Sequence, residues 1–147
     1  MLEELSVKNF LSFNEEVSLS FEATAEEFGE NNLVVTMPDG KRLLRFAMIY
    51  GANASGKTNV LMALDAMKRF WRKTPEDIDK STDIVPFRFD VVTPSTPSEF
   101  TLRFYVDGVR YWYVLRLDKK RVIEERLSYY TSNRPTMLFH RKMEDGR

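Results

Sequence analysis

Eight consecutive residues, Gly51-Ala52-Asn53-Ala54-Ser55-Gly56-Lys57-Thr58, concentrate the chemistry of this sequence. A glycine, four intervening residues, then glycine, lysine and a hydroxyl residue fit the pattern G-x-x-x-x-G-K-[ST] in full. The glycines permit a tight backbone path on which successive main-chain N–H groups turn inward and form a nest for an anion. Lys57 adds a point charge able to reach β- and γ-phosphates, and Thr58 offers Mg²⁺ a hard hydroxyl oxygen. A helix opening at this point sets the positive end of its dipole behind the phosphates. That chemistry is the holding of a nucleoside triphosphate, ATP or a close relative, together with Mg²⁺. Ordinary residue frequencies produce the pattern by chance in about one chain in two hundred of this length.

Such a loop needs a strand before it and a helix after it. Leu43 to Tyr50 is a largely apolar run and predicts a strand buried on both faces. From Lys57 to about Lys73 the apolar period becomes helical. Val60, Leu64, Met67 and Trp71 form a stripe thickened by Ala63 and Phe70, with Asn59, Asp65, Lys68, Arg69 and Arg72 outside. This stripe is core packing, and the helix is expected to stop near Thr74-Pro75.

The remaining elements read mostly as strands. Leu2 to Phe10 and Val17 to Phe21 predict two strands joined by a turn at Asn14-Glu15-Glu16. Ala23 to Asn32 predicts an acidic surface loop or short helix. Leu33 to Val35 predicts a short strand before a Pro38-Asp39-Gly40 turn. Glu76 to Asp83 reads as a polar linker. Glu99 to Val106 and Val109 to Asp118 flank Asp107-Gly108, the dipeptide favoured in a two-residue type I′ turn. That register pairs Phe104 with Tyr111, Leu102 with Tyr113 and Phe100 with Leu115 on one face. The other face pairs Arg103 with Trp112, Tyr105 with Arg110 and Glu99 with Arg116, as suits a wetter side. Val122 to Tyr130 and Met137 to Arg141 predict two more strands.

Composition bounds the rest. The 147 residues suit one compact domain, and 43% hydrophobic with 30% charged residues describes a soluble globular chain. Twenty-two basic residues balance 22 acidic ones, so no whole-domain attraction to nucleic acid exists. The absence of cysteine excludes disulfides, zinc–thiolate sites and thiol nucleophiles, and the single histidine, His140, is expected in a structural role. Acidic residues near Met1 and the lack of a long apolar run argue against a signal peptide or membrane helix, so the expected location is cytoplasmic.

The residues around the loop resemble the ABC-type ATPase heads of the SMC, RecF and OLD group, and especially the bacterial AAA-family ATPases of abortive infection and phage defence. The resemblance rests on the opening Leu5-Ser6-Val7-Lys8-Asn9-Phe10-Leu11-Ser12-Phe13, on Asn53 and Asn59 in and after the loop, and on Pro86-Phe87-Arg88-Phe89 followed by the Glu99–Tyr130 strands. It implies a P-loop NTPase N-terminal lobe spanning residues 1–147 as a single domain. Its fold class is α/β with α+β character, with mixed or antiparallel β-sheets around one long P-loop helix. It further implies ATP and Mg²⁺ bound by Gly51, Asn53, Ala54, Ser55, Gly56, Lys57, Thr58 and Asn59, with Lys57 the catalytic contributor and Thr58 the metal ligand. Leu11, Ser12 and Phe13 would lie near adenine and ribose.

Relatives carry a glutamine about where Pro86-Phe87 stands, and a Walker B carboxylate pair, a signature motif and a switch histidine in a second lobe. The chain is therefore expected to be the N-terminal part of a longer ATPase that binds nucleotide without hydrolysing it. Intact heads would homodimerise around ATP and drive an effector protein or a DNA-binding part. Two further readings are a small self-contained kinase, with Asp90 as its only tempting carboxylate, and a nucleic-acid module using Lys68, Arg69, Arg72, Lys73 and Lys119-Lys120-Arg121. A turn residue at Asp90 and solvated basic faces are the plainer expectations.

Overall fold

A computed structural model describes residues 1–25, 33–74, 81–90 and 93–143. The expectation for Ala23–Asn32 and most of the Glu76–Asp83 linker lies outside them. Six strands form one sheet: β1 (Leu2–Lys8), β2 (Val17–Ser20), β5 (Ser98–Val106), β6 (Val109–Leu117), β7 (Val122–Tyr130) and β8 (Pro135–Lys142), in the order β2-β1-β5-β6-β7-β8. Every neighbouring pair is antiparallel. A separate two-stranded sheet pairs β3 (Val34–Thr36) with β4 (Arg42–Leu44).

The β5–β6 hairpin has the register its sequence dictates, from Glu99 opposite Arg116 to Tyr105 opposite Arg110. Asp107 and Gly108 both take positive φ, 48° and 80°, as a type I′ turn demands. Phe100, Leu102, Tyr113 and Leu115 are buried on the predicted core face. Tyr105, placed by the sequence on the wetter face, is buried too, at 3% exposure.

One α-helix, α1 (Lys57–Phe70), stands among the described residues. Ala63, Ala66, Met67 and Phe70, spaced i, i+3, i+4 and i+7, form its buried side. They join Leu5, Val7, Phe100, Leu102, Tyr113, Leu115 and Leu117 in the core, with Phe10 and Ile84 closing one end. Each large apolar side chain fully buried there contributes about 1.5–3 kcal/mol. Trp71, expected in the stripe, is half exposed just past the helix, its ring centre 5.5 Å from that of Tyr113 in an edge-to-face contact. Lys68 and Arg69 lie in the last turn, where cations suit the dipole.

Two expectations are corrected. First, the sheets, expected mixed or antiparallel, are antiparallel in every described pair, but the helix, 14 residues long, lies against one face instead of forming a long centre around which sheets wrap. Second, Leu43–Tyr50 is not a strand buried on both faces. Only Arg42–Leu44 pairs, and Phe46, Met48 and Tyr50 are 60%, 73% and 89% exposed. A doubly buried strand needs a pairing strand at each edge and a covered surface on each face. Among the described residues no strand pairs with residues 46–50.

Candidate functional site

The loop closes on itself before the helix begins. Ser55 N–H donates to the Ala52 carbonyl at 3.3 Å, and a Cβ built on Gly51 would lie 3.1 Å from Ser55 Oγ. Ala54 and Gly56 take positive φ, 64° and 89°, giving the alternation of backbone hand that turns successive amides to one side. No side chain caps the helix at Gly56, and its first turn holds no acidic residue. The amides of Asn53, Ala54, Gly56, Lys57 and Thr58 consequently have no acceptor among the described residues. Lys57 Nζ donates to the Gly51 and Ala52 carbonyls, at 2.8 and 2.7 Å, keeping a cation over the start of the loop. Thr58 is exposed at the second helical position, beside the same amides. Free amide donors, an ammonium and an exposed hydroxyl make a donor set suited to a phosphate chain with its divalent cation.

The turn after β1 supports the loop from behind. Ser12 Oγ accepts from Asn59 Nδ2 at 2.6 Å, and a Cβ on Gly56 would meet Phe13 Cε1 at 3.2 Å. The structure therefore brings Ser12 and Phe13, distant in sequence, against Gly56 and Asn59. A side chain at position 56 would push on the Phe13 ring and strain a left-handed backbone, so glycine serves twice there.

Sequence reasoning passed over Asn9, reading it as a strand position. It is 2% exposed, and its amide donates to the carbonyls of Thr93 and Thr96, each at 2.8 Å, and of Pro97 at 3.3 Å. Its Oδ1 accepts from Phe87 N–H at 2.9 Å, while Leu11 N–H donates to the Val85 carbonyl at 3.0 Å. These bonds tie the Leu11–Phe13 turn to the 84–89 segment, which passes beside the site without forming a strand. Positive φ at Asn9 (51°) was the only clue, and sequence does not display φ.

Other candidate residues are engaged elsewhere. Asp90 accepts a hydrogen bond from the Thr93 hydroxyl. Arg69 pairs with Asp65, Lys73 with Asp83 and Arg121 with Asp118, which spends part of both basic clusters on local acids. His140 Nε2 lies 3.0 Å from Glu124. A polar knot occupies one side of the sheet, where Arg110 grips the buried Glu3 through two bonds of 2.7 and 2.6 Å. Beside it Tyr105 donates to Asp39 at 2.6 Å, and burial with that bond pushes the Tyr105 hydroxyl well above its ordinary range. The knot's acids and bases satisfy one another. No cluster of three or more His, Cys, Asp or Glu able to hold a metal occurs among the described residues. No helix among them is long and apolar enough to cross a membrane.

Comparison with protein families matches residues 46–146, well over half the chain, to the family described as "AAA domain, putative AbiEii toxin, Type IV TA system". No curated protein matches the chain. The matched stretch takes in the loop, α1 and β5–β8, and leaves the Leu11–Phe13 turn outside. The chain belongs to this family of AAA, P-loop ATPase-like domains of the abortive-infection type.

Proposed function

We propose that the domain binds ATP with Mg²⁺ at residues 51–58 and serves as the N-terminal lobe of an SMC/RecF/OLD-like ATPase in an anti-phage defence or DNA-repair system. The observation that carries this reading is the run of free loop amides crowned by the Lys57 ammonium. On binding, Lys57 exchanges its two carbonyl partners for phosphate oxygens, a charge-assisted and stronger interaction. Gly51, Asn53, Ala54, Ser55 and Gly56 supply the backbone cup, and Asn59, Ser12 and Phe13 hold its rear wall. Thr58 Oγ1 is the protein ligand for Mg²⁺, whose charge offsets that of the phosphates. In this reading Lys57 stabilises charge during phosphoryl transfer.

Hydrolysis also requires a positioned water and its carboxylate, and we assign these to a second lobe, with paired heads sharing two nucleotides in the intact, cytoplasmic protein. The bare flank at Phe46–Tyr50, directly before the loop, supports a partner surface at that place. The kinase reading is weaker, since Asp90 is held by Thr93, and the nucleic-acid reading is weaker because its basic residues are partly paired.

Calorimetry with Mg-ATP tests the reading. Lys57→Ala should weaken binding by about tenfold to a hundredfold, the worth of a hydrogen bond to a charged group, with an unchanged circular dichroism spectrum. Phosphate release by residues 1–147 should stay at background. Equal ATP affinity in the two proteins would overturn the assignment.

A further inference from the structure

We infer that the sheet face turned away from α1 docks an acidic segment of a partner protein, with Arg126 as the anchor. This goes beyond the nucleotide reading and does not depend on it, because α1 packs on the opposite face. The pairing register lines up Glu4, Arg103 and Trp112 across the outer face. Val114, Arg126 and His140 form the next row, and Glu99, Arg116 and Glu124 the one after. The carboxylates there are already engaged, Glu4 by Arg103, Glu99 by Arg116, and Glu124 by Arg116 and His140. Arg110, at the end of the same face, holds Glu3. Arg126 is left as the one arginine of the face with no carboxylate among the described residues. It lies instead over the Trp112 ring, 4.3 Å from the centroid, while Arg103 approaches from the strand on the other side at 5.9 Å.

Nitrogen donors are left over at the same place. Trp112 Nε1, Arg116 Nε and Arg126 Nε are each buried without a hydrogen-bond acceptor among the described residues. Arg116 Nε stands 3.7 Å from Glu99, too far for a bond. Buried donors without acceptors are rare in folded proteins, because each has given up its bond to water for nothing. Three of them on the adjacent strands β6 and β7, around one uncompensated cation, suit an anionic oxygen from outside. A carboxylate gripping the Nε–Nη side of Arg126 gives the charge a counterion and Nε an acceptor, as the arginine lifts from the tryptophan. Protein carboxylates fit this face better than a nucleic acid. Two guanidiniums already lie over the Trp112 ring, where a base would have to stack. The chain balances 22 basic against 22 acidic residues, without the excess that draws a phosphate backbone. Tryptophan and arginine are also the residues on which protein contacts most depend.

A short fluorescein-labelled peptide of alternating glutamate and serine, titrated with residues 1–147, tests the site by anisotropy. Arg126→Ala should weaken binding about tenfold or more, the usual order for losing a hydrogen bond to a charged group. Arg126→Lys keeps the charge without the planar fork and should recover only part of that loss. Lys119→Ala removes an exposed cation from the β6–β7 turn and should change binding by less than about twofold. No binding by the wild-type chain, unchanged affinity in Arg126→Ala, or equal losses in Arg126→Ala and Lys119→Ala would overturn the site. A single-stranded oligonucleotide of equal charge that binds more tightly than the peptide and loses more in Arg126→Ala would overturn it too, making the face a nucleic-acid surface.

Discussion

Asn9 shows how much one side chain can organise. It leaves β1 at a φ of 51°, a backbone region that asparagine tolerates better than most residues. From there its amide serves the 93–97 turn and Phe87 together. Asn9→Ala removes the amide's bonds to the 93–97 turn, leaves the Phe87 N–H without its acceptor and strains the backbone, which should cost about 2–4 kcal/mol in urea unfolding. A loss under about 1 kcal/mol would show that water replaces the side chain. Asp39 contributes to the acid limb, as do Asp83 and Glu124, whose carboxyls are also held below their ordinary values. Burial raises the Asp39 carboxyl, but the Tyr105 hydroxyl, the Lys41 amide and the Arg110 charge together hold it below its ordinary value. A folded-state value below the unfolded one gives stability that is complete above about pH 4, the unfolded range. It is lost as pH falls through the lower folded value. Asp39→Asn should therefore flatten the fall in urea midpoint between neutral and acid pH, and an unaltered acid limb would count against this account.

Among the elements, the β5–β6 hairpin is specified most locally. Its turn residues demand positive φ, its core face alternates in step, and its charged face pairs in the same register, so every local signal agrees. Gly108 has a second duty, because a Cβ there would meet Pro38 Cγ at 3.1 Å, where the β3–β4 turn abuts the hairpin. Gly108→Ala should lower stability by about 1–3 kcal/mol through backbone strain and that contact, read as a lower melting temperature. Full retention would mean the Pro38 turn moves aside freely. Helix α1 was legible on its buried side at Ala63, Met67 and Phe70. Its outer face was legible too at Asp65, Lys68, Arg69 and Arg72, but the stripe is shifted, taking in Ala66 and leaving Val60 and Leu64 half-buried and Trp71 exposed, with Leu61 and Met62 bare at the loop end.

Across the whole molecule, apolar surface gathers around the loop. Phe46, Met48 and Tyr50 precede it, Leu61 and Met62 follow it, and all are at least 40% exposed. Large apolar side chains left exposed together on a surface mark contact sites. Residues 1–147 alone should self-associate as concentration rises, and the pair Phe46→Glu with Met48→Lys should shift sedimentation toward monomer. A second exposed apolar run, Met137 to Phe139, lies on β8 at the sheet edge, but a register irregularity opposite Leu127 and Ser128 interrupts its pairing line. Unaltered association in the double variant would move the contact to that edge.

The turn of the loop at residues 51–58, the following helix and the β5–β6 register could be read from sequence because each depends on neighbours a few positions apart. Turn geometry, side-chain period and a glycine-lysine-threonine run are local. The packing of Ser12 and Phe13 against Gly56, the reach of Asn9 to Thr96, and the exposure of Phe46–Tyr50 depend on chain segments far apart. Such contacts leave no periodic trace, and an apolar run looks the same in sequence whether the fold covers it or not. Only the tertiary arrangement decided which strands existed to pair with it.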